Sequence, residues 1–126
     1  IHLVIPELKG RMQGGAMRVP VISGSLVDLS LVLKKDVTEE AINAAMKEAA
    51  EGSLKGVLDY NVEEIVSSDI IGATAGSIFD ATQTKVFATP EGNQLVKVVA
   101  WYDNEYSYTC QYIRLAGEFA RVLGVK

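Results

Sequence analysis

Leu95–Tyr102 reads LVKVVAWY, and the chain runs on through Asp103-Asn104-Glu105 into Tyr106-Ser107-Tyr108. The first eight residues are rich in β-branched and aromatic side chains, which suit a pleated, half-buried surface. They mark the most apolar strand of the sequence, expected at the centre of a sheet. From Glu105 the period changes: Tyr108, Tyr112, Leu115, Phe119 and Val122 recur at helical spacing, and Gly124 is placed to end the run. The only Trp and three of the five Tyr thus surround a short polar run where strand gives way to helix. Asp103 or Asn104 can start that helix by accepting from its orphan N–H groups, with the aromatic rings as core. An Asn amide also carries donors and an acceptor, and beside aromatic rings it suits a flat polar group such as a carboxamide. From the residues alone, both roles stand open for Asn104.

Working outward, the Thr89-Pro90-Glu91-Gly92-Asn93 cluster predicts a turn joining the LVKVVAWY strand to shorter strands at Ser77–Ala81 and Thr84–Ala88. Val57–Tyr60 is a further short strand. Val27, Leu29, Leu31 and Leu33 set a period of two over Ser25–Leu33, which predicts another. Between these lies a helix over Glu39–Glu51. Thr38 can cap it, Glu39 and Glu40 complement its dipole, and Gly52 is suited to close it in the left-handed conformation. Ile42, Ala45, Met46 and Ala49 give that helix one apolar stripe, suited to lie on a sheet. Met12–Pro20 is a weaker strand candidate with Arg18 inside it. The order of elements predicts an α+β fold: a mostly antiparallel or mixed sheet, helices on one face, and a long C-terminal helix.

Composition excludes several classes. The 126 residues suffice for one domain or most of one. A net charge of −4, with twelve Lys and Arg scattered, argues against a nucleic-acid partner. No apolar run is long enough for a membrane span. One Cys cannot form an internal disulfide, which fits a reducing, cytoplasmic setting. Hydrophobic residues make up 48% of the chain, which suggests either a large core or a surface covered by other protein. The first residue is Ile1, so an N-terminal portion is expected to be missing.

The usual catalytic signatures are not in the sequence: no Gly-rich dinucleotide fingerprint, no Walker loop, no paired cysteines and no metal-ligand cluster. His2, the only His, is expected at an exposed end. Cys110, well inside the last helix, lacks the helix-terminal or cationic setting of a reactive thiol and is expected to pack inertly. Arg18 stands between Met17 and Val19. Its guanidinium can pair with a carboxylate, sit exposed, or hold an anion through two parallel N–H bonds. Spacing alone favours an exposed or ion-paired Arg.

The segments IPELKG, MRVP, VDLSLVLKKDVT, AINAAMKEAAEG, LKGVLDY, VSSD, SIFDA and WYDNE, in this order over nearly the whole chain, resemble the C-terminal part of phosphorylating glyceraldehyde-3-phosphate dehydrogenases. The resemblance implies a catalytic-domain portion spanning residues 1–126. The family's NAD-binding domain, nucleophilic Cys and activating His would precede Ile1, so no catalytic residue is assigned here and none to a metal. It implies that Arg18 binds substrate and inorganic phosphate, that Asn104 holds the carboxamide of NAD, and that Tyr108 shields the nicotinamide ring. It further implies the substrates glyceraldehyde 3-phosphate and inorganic phosphate, a homotetramer, and no activity in this stretch alone. Two alternatives accompany it. One is a parent acting on erythrose 4-phosphate, against which Tyr102 leans because that sister family tends to have Phe there. The other is a non-catalytic folding or oligomerisation module. Two departures from the family pattern stand out. After WYDNE the usual W-G-Y-S-N-R becomes Tyr106-Ser107-Tyr108-Thr109-Cys110-Gln111. Before SIFDA the usual D-P-H-S becomes Ala73-Thr74-Ala75-Gly76. Loss of the Arg at Gln111 is expected to alter a contact between subunits or domains.

Overall fold

The LVKVVAWY segment lies within β4 (Gln94–Tyr102), an inner strand of a four-stranded sheet. The computed structural model describes residues 1–124. On one side β4 pairs antiparallel with β1 (Ser25–Val32), from Ser25 opposite Tyr102 to Val32 opposite Leu95. On the other it pairs antiparallel with β3 (Ser77–Ala88), which in turn carries β2 (Leu58–Asn61) in parallel. The strand order is β1-β4-β3-β2, so the sheet is mixed and the fold is α+β.

The β3–β4 hairpin turns where the Pro-Gly cluster places it. Thr89 N–H donates to the Asn93 carbonyl at 2.7 Å, and Gly92 takes φ 82°, a conformation open to Gly because it has no Cβ. The strands read as Ser77–Ala81 and Thr84–Ala88 are one strand, β3, with an irregularity between Asp80 and Lys85. Short-range side-chain bonds account for the interruption. Asp80 Oδ1 accepts from the Thr82 N–H at 3.1 Å and the Thr82 hydroxyl at 2.6 Å, which bends the chain locally.

The helix α1 (Glu39–Glu51) has the expected bounds, and the Ala41 N–H donates to its cap, Thr38 Oγ1, at 3.2 Å. Gly52 does not close it in the left-handed conformation: its φ is −111°, and its N–H returns to the Glu48 and Ala49 carbonyls. The chain keeps turning past it, with the Leu54 N–H on the Ala49 carbonyl at 2.8 Å, and the positive φ falls later, at Gly56. The apolar stripe of α1 packs on β2 and β3. Ala50, Leu58 and Phe79 form a buried cluster, flanked by Ile42, Met46, Ala49 and Val98. Tyr60 stacks on Phe79 with centroids 6.0 Å apart. Polar bonds fix the helix to the β3 irregularity. The hydroxyl of buried Thr84 donates to Asn43 Oδ1 at 2.7 Å, and the Val86 N–H to Glu39 Oε1 at 3.1 Å.

On the opposite sheet face, Ile70, Ala75 and Ile78 form a second buried cluster with Ile65 and Trp101. Trp101 Nε1 donates to Asp80 Oδ2 at 3.0 Å, which satisfies a carboxylate that is almost fully buried. Farther along the same face the register lines up Val32, Leu95 and Phe87, all exposed.

Two further expectations need correction. Met12–Pro20 forms no strand: it is irregular and exposed throughout. It pairs with neither open edge of the sheet, β1 or β2, and Gly14, Gly15 and Pro20 weaken a strand there. The stripe Tyr108, Tyr112, Leu115, Phe119 and Val122 of α2 (Tyr106–Val122) does share the helical spacing, but it is not core: each of these side chains is more than half exposed, Tyr108 at 71%.

Candidate functional site at the junction of β4 and α2

Asp103, Asn104 and Glu105 follow the last residue of β4, and each secures a different piece of chain. Asp103 is the residue that starts α2. Its Oδ1 accepts from the N–H groups of Glu105 at 2.9 Å and Tyr106 at 2.7 Å, while Oδ2 accepts from the Gly72 N–H at 2.9 Å. The carboxylate is buried. The Gly72 and then the Tyr106 N–H hold its pKa below the ordinary 3.8, burial pushes the other way, and the Glu105 N–H adds to the lowering. Ser107 is buried and donates its hydroxyl to the Asp103 carbonyl at 2.6 Å.

Asn104 makes no bond to the helix, so the capping role considered for it belongs to Asp103. Its Oδ1 accepts from the Gly24 N–H at 3.2 Å and the Ser25 hydroxyl at 3.0 Å, and its Nδ2 donates to Ser25 Oγ at 2.8 Å. Glu105 continues the clasp, accepting at Oε2 from the Ser23 hydroxyl at 3.1 Å. The β1–β4 ladder makes these contacts possible: with Ser25 opposite Tyr102, residues 23–25 come alongside residues 103–105.

Gly24 is buried with φ 96°, and a Cβ there would stand 2.9 Å from the Ser67 carbonyl oxygen. Gly24→Ala is therefore expected to cost about 2 kcal/mol through backbone strain and collision. Urea unfolding measures it; an unchanged midpoint would show that the turn has other conformations available.

Arg18 lies five residues before Ser23 on the irregular segment. It is exposed, and among the described residues it forms no ion pair. Tyr108 is on the first turn of α2 with its ring exposed. Asn104 and Tyr108 thus share one junction, whereas no hydrogen bond or ion pair among the described residues joins Arg18 to either. A hollow of about 340 Å³ beside the junction is lined by Ser23, Ile71, Gly72, Asp103, Glu105, Tyr106 and Thr109. Arg18, Asn104 and Tyr108 do not line it. His2 is exposed and Cys110 is half-buried and free. No group of metal-ligating side chains gathers among the described residues, and no helix there is long and apolar enough to cross a membrane.

Sequence reasoning missed Ser23, Gly24, Ser25 and Gly72. The Ser-Gly-Ser run just before a strand was the one available signal, since Gly flanked by hydroxyls suits a polar turn.

The two departures from the family pattern meet in space. Gln111 Nε2 donates to the Thr74 carbonyl at 2.9 Å, and a Cβ on Gly76 would come within 3.0 Å of Gln111 Cγ. Gln111 thus seats α2 against the altered 73–76 stretch of its own chain. Arg114 assists by donating to the Gly56 carbonyl at 2.8 Å.

A mixed sheet with one covering helix and a polar strand-to-helix junction defines an α+β domain of dehydrogenase type only in combination with sequence kinship. Residues 1–104 match the family model described as glyceraldehyde 3-phosphate dehydrogenase, C-terminal domain, and the chain belongs to that family. Among curated proteins, it is 56% identical to the glyceraldehyde-3-phosphate dehydrogenase of Clostridium pasteurianum over 122 residues, 97% of this chain and 35% of that protein. The corresponding enzyme of Streptococcus pyogenes serotype M1 is 53% identical over the same shares. That of Lactobacillus delbrueckii subsp. bulgaricus is 54% identical over 95% of this chain and 34% of that protein. The chain therefore spans about a third of the length of the relatives it matches.

Proposed function

We propose that residues 1–126 are the C-terminal portion of the catalytic domain of a cytoplasmic, glycolytic, NAD-dependent glyceraldehyde-3-phosphate dehydrogenase. In that role the parent protein converts glyceraldehyde 3-phosphate, NAD and inorganic phosphate to 1,3-bisphosphoglycerate. The observation that carries this reading, beyond kinship, is Asn104: its side chain is exposed, hydrogen-bonded to Gly24 and Ser25, and retains one amide N–H with no partner among the described residues. That N–H suits a carboxamide oxygen, and the exposed ring of Tyr108 one turn along suits a flat heteroaromatic face. Bound NAD would supply the hydride acceptor. Asn104 would orient its ring, Tyr108 would help exclude water, and Arg18 would hold substrate and phosphate through its planar fork.

Exposed apolar surface supports a larger assembly. The Val32, Leu95 and Phe87 strip and the α2 stripe have no cover within the described chain. In the parent, which we propose to be a homotetramer, they would be covered by other subunits and by the remainder of the protein. The 126-residue chain alone is expected to show no dehydrogenase activity. In the full-length protein, Asn104→Ala is expected to weaken NAD binding about tenfold, the worth of one well-placed hydrogen bond and its orienting effect. Titration calorimetry tests this, and unchanged affinity would remove Asn104 from the cofactor site.

A further inference from the structure

We propose that Gly24 and Ser25 are positioning residues for Asn104, fixing its carboxamide so that it meets the cofactor as a donor only. This rests on the assignment of Asn104 to the nicotinamide and adds a polarity to it.

The bonds around Asn104 set that polarity. A hydroxyl both gives and accepts, so Ser25 tolerates either orientation of the amide. The Gly24 N–H can only donate. Turning the amide over would aim Nδ2 at that N–H, donor against donor, in place of the 3.2 Å bond to Oδ1. Gly24 therefore selects the orientation, and its positive φ of 96° and its burial keep its N–H from turning elsewhere. With bonds from Gly24 and Ser25, both acceptor positions of Oδ1 are filled. One N–H of Nδ2 is held by Ser25 Oγ at 2.8 Å, and the second is left to point outward. The group this arrangement recognises is a carbonyl oxygen rather than an NH₂.

Two dinucleotides separate the possibilities: NAD, and its 3-acetylpyridine analogue, which keeps the ring carbonyl but has a methyl in place of the NH₂. Their dissociation constants are measured by calorimetry on the full-length protein, with thermal unfolding alongside. Asn104→Ala is expected to weaken both by the same factor, about tenfold. Ser25→Ala is expected to weaken both about fivefold and to add nothing in the Asn104→Ala background, whereas Ser25→Thr, which keeps the hydroxyl, stays within about twofold of the native protein. An Asn104→Ala loss confined to NAD would overturn the donor-only polarity while leaving Asn104 at the cofactor, and this arm does not depend on Ser25→Ala folding. A Ser25→Ala effect that is nil, or fully additive with Asn104→Ala, would overturn the positioning role. No effect of Asn104→Ala on either dinucleotide would instead refute the cofactor assignment.

Discussion

Asp103→Ala is expected to destabilise the chain by about 3 kcal/mol, more than an ordinary cap substitution. A helix cap lost to Ala costs about 1 kcal/mol because one or two orphan N–H groups return to water. Asp103 does more: it serves the Glu105 and Tyr106 N–H groups at the start of α2 and the Gly72 N–H of a separate loop, and it is only 3% exposed. Each bond to a charged group is worth roughly 1.5–3 kcal/mol, and three on one carboxylate are not additive, so about 3 is the expected sum. The carboxyl's pKa is lowered from 3.8, so its stabilisation is complete above that value and is lost as pH falls through the lower folded-state pKa. Urea unfolding followed by the fluorescence of Trp101, the single Trp, reads both effects. Asp103→Asn should also be less stable at neutral pH, because its NH₂ opposes the Gly72 N–H, and should lose that part of the acid dependence. A loss below 1 kcal/mol for Asp103→Ala would mean that the junction is held by other contacts.

Arg18→Ala is expected to raise the KM for inorganic phosphate about a hundredfold in the full-length protein, with a comparable weakening for the phosphorylated aldehyde. A guanidinium with no carboxylate partner among the described residues can give its charge and both parallel N–H bonds to an anion. Each bond of that kind, charge included, is worth roughly 1.5–3 kcal/mol, so losing the pair is enough for about a hundredfold effect. Arg18→Lys keeps the charge and loses the fork, so it should recover only part of the loss. NAD affinity should move little in either variant. Unchanged phosphate saturation in Arg18→Ala would take Arg18 out of the site.

The elements that local patterning reports were readable from the sequence. The period of β1, the Thr38 cap and the stripe of α1, and the centrality of β4 rest on neighbours within a few residues. What was illegible depends on partners distant in the chain. Met12–Pro20 carries enough apolar residues for a strand, but a strand exists only when paired, and among the described residues this segment docks on neither edge strand, β1 or β2. The α2 stripe has core composition, yet nothing in the described chain covers it; helical spacing reveals which residues share a face and not what lies against that face. At the candidate site, Asn104 and Tyr108 come forward through the family resemblance in and just after WYDNE. The division of labour between Asp103, which starts the helix, and Asn104, which is held by Gly24 and Ser25 from about 80 residues away, follows from strand register and has no local signature.

The most direct measurement is a crystal structure of the full-length protein with NAD and phosphate bound. The expected result has Asn104 Nδ2 within hydrogen-bond distance of the carboxamide oxygen, Oδ1 still on the Gly24 N–H, and the Arg18 guanidinium on a phosphate in the same cavity. A structure in which nicotinamide and phosphate are held by other groups, with Arg18 and Asn104 opening onto separate surfaces, would contradict the account.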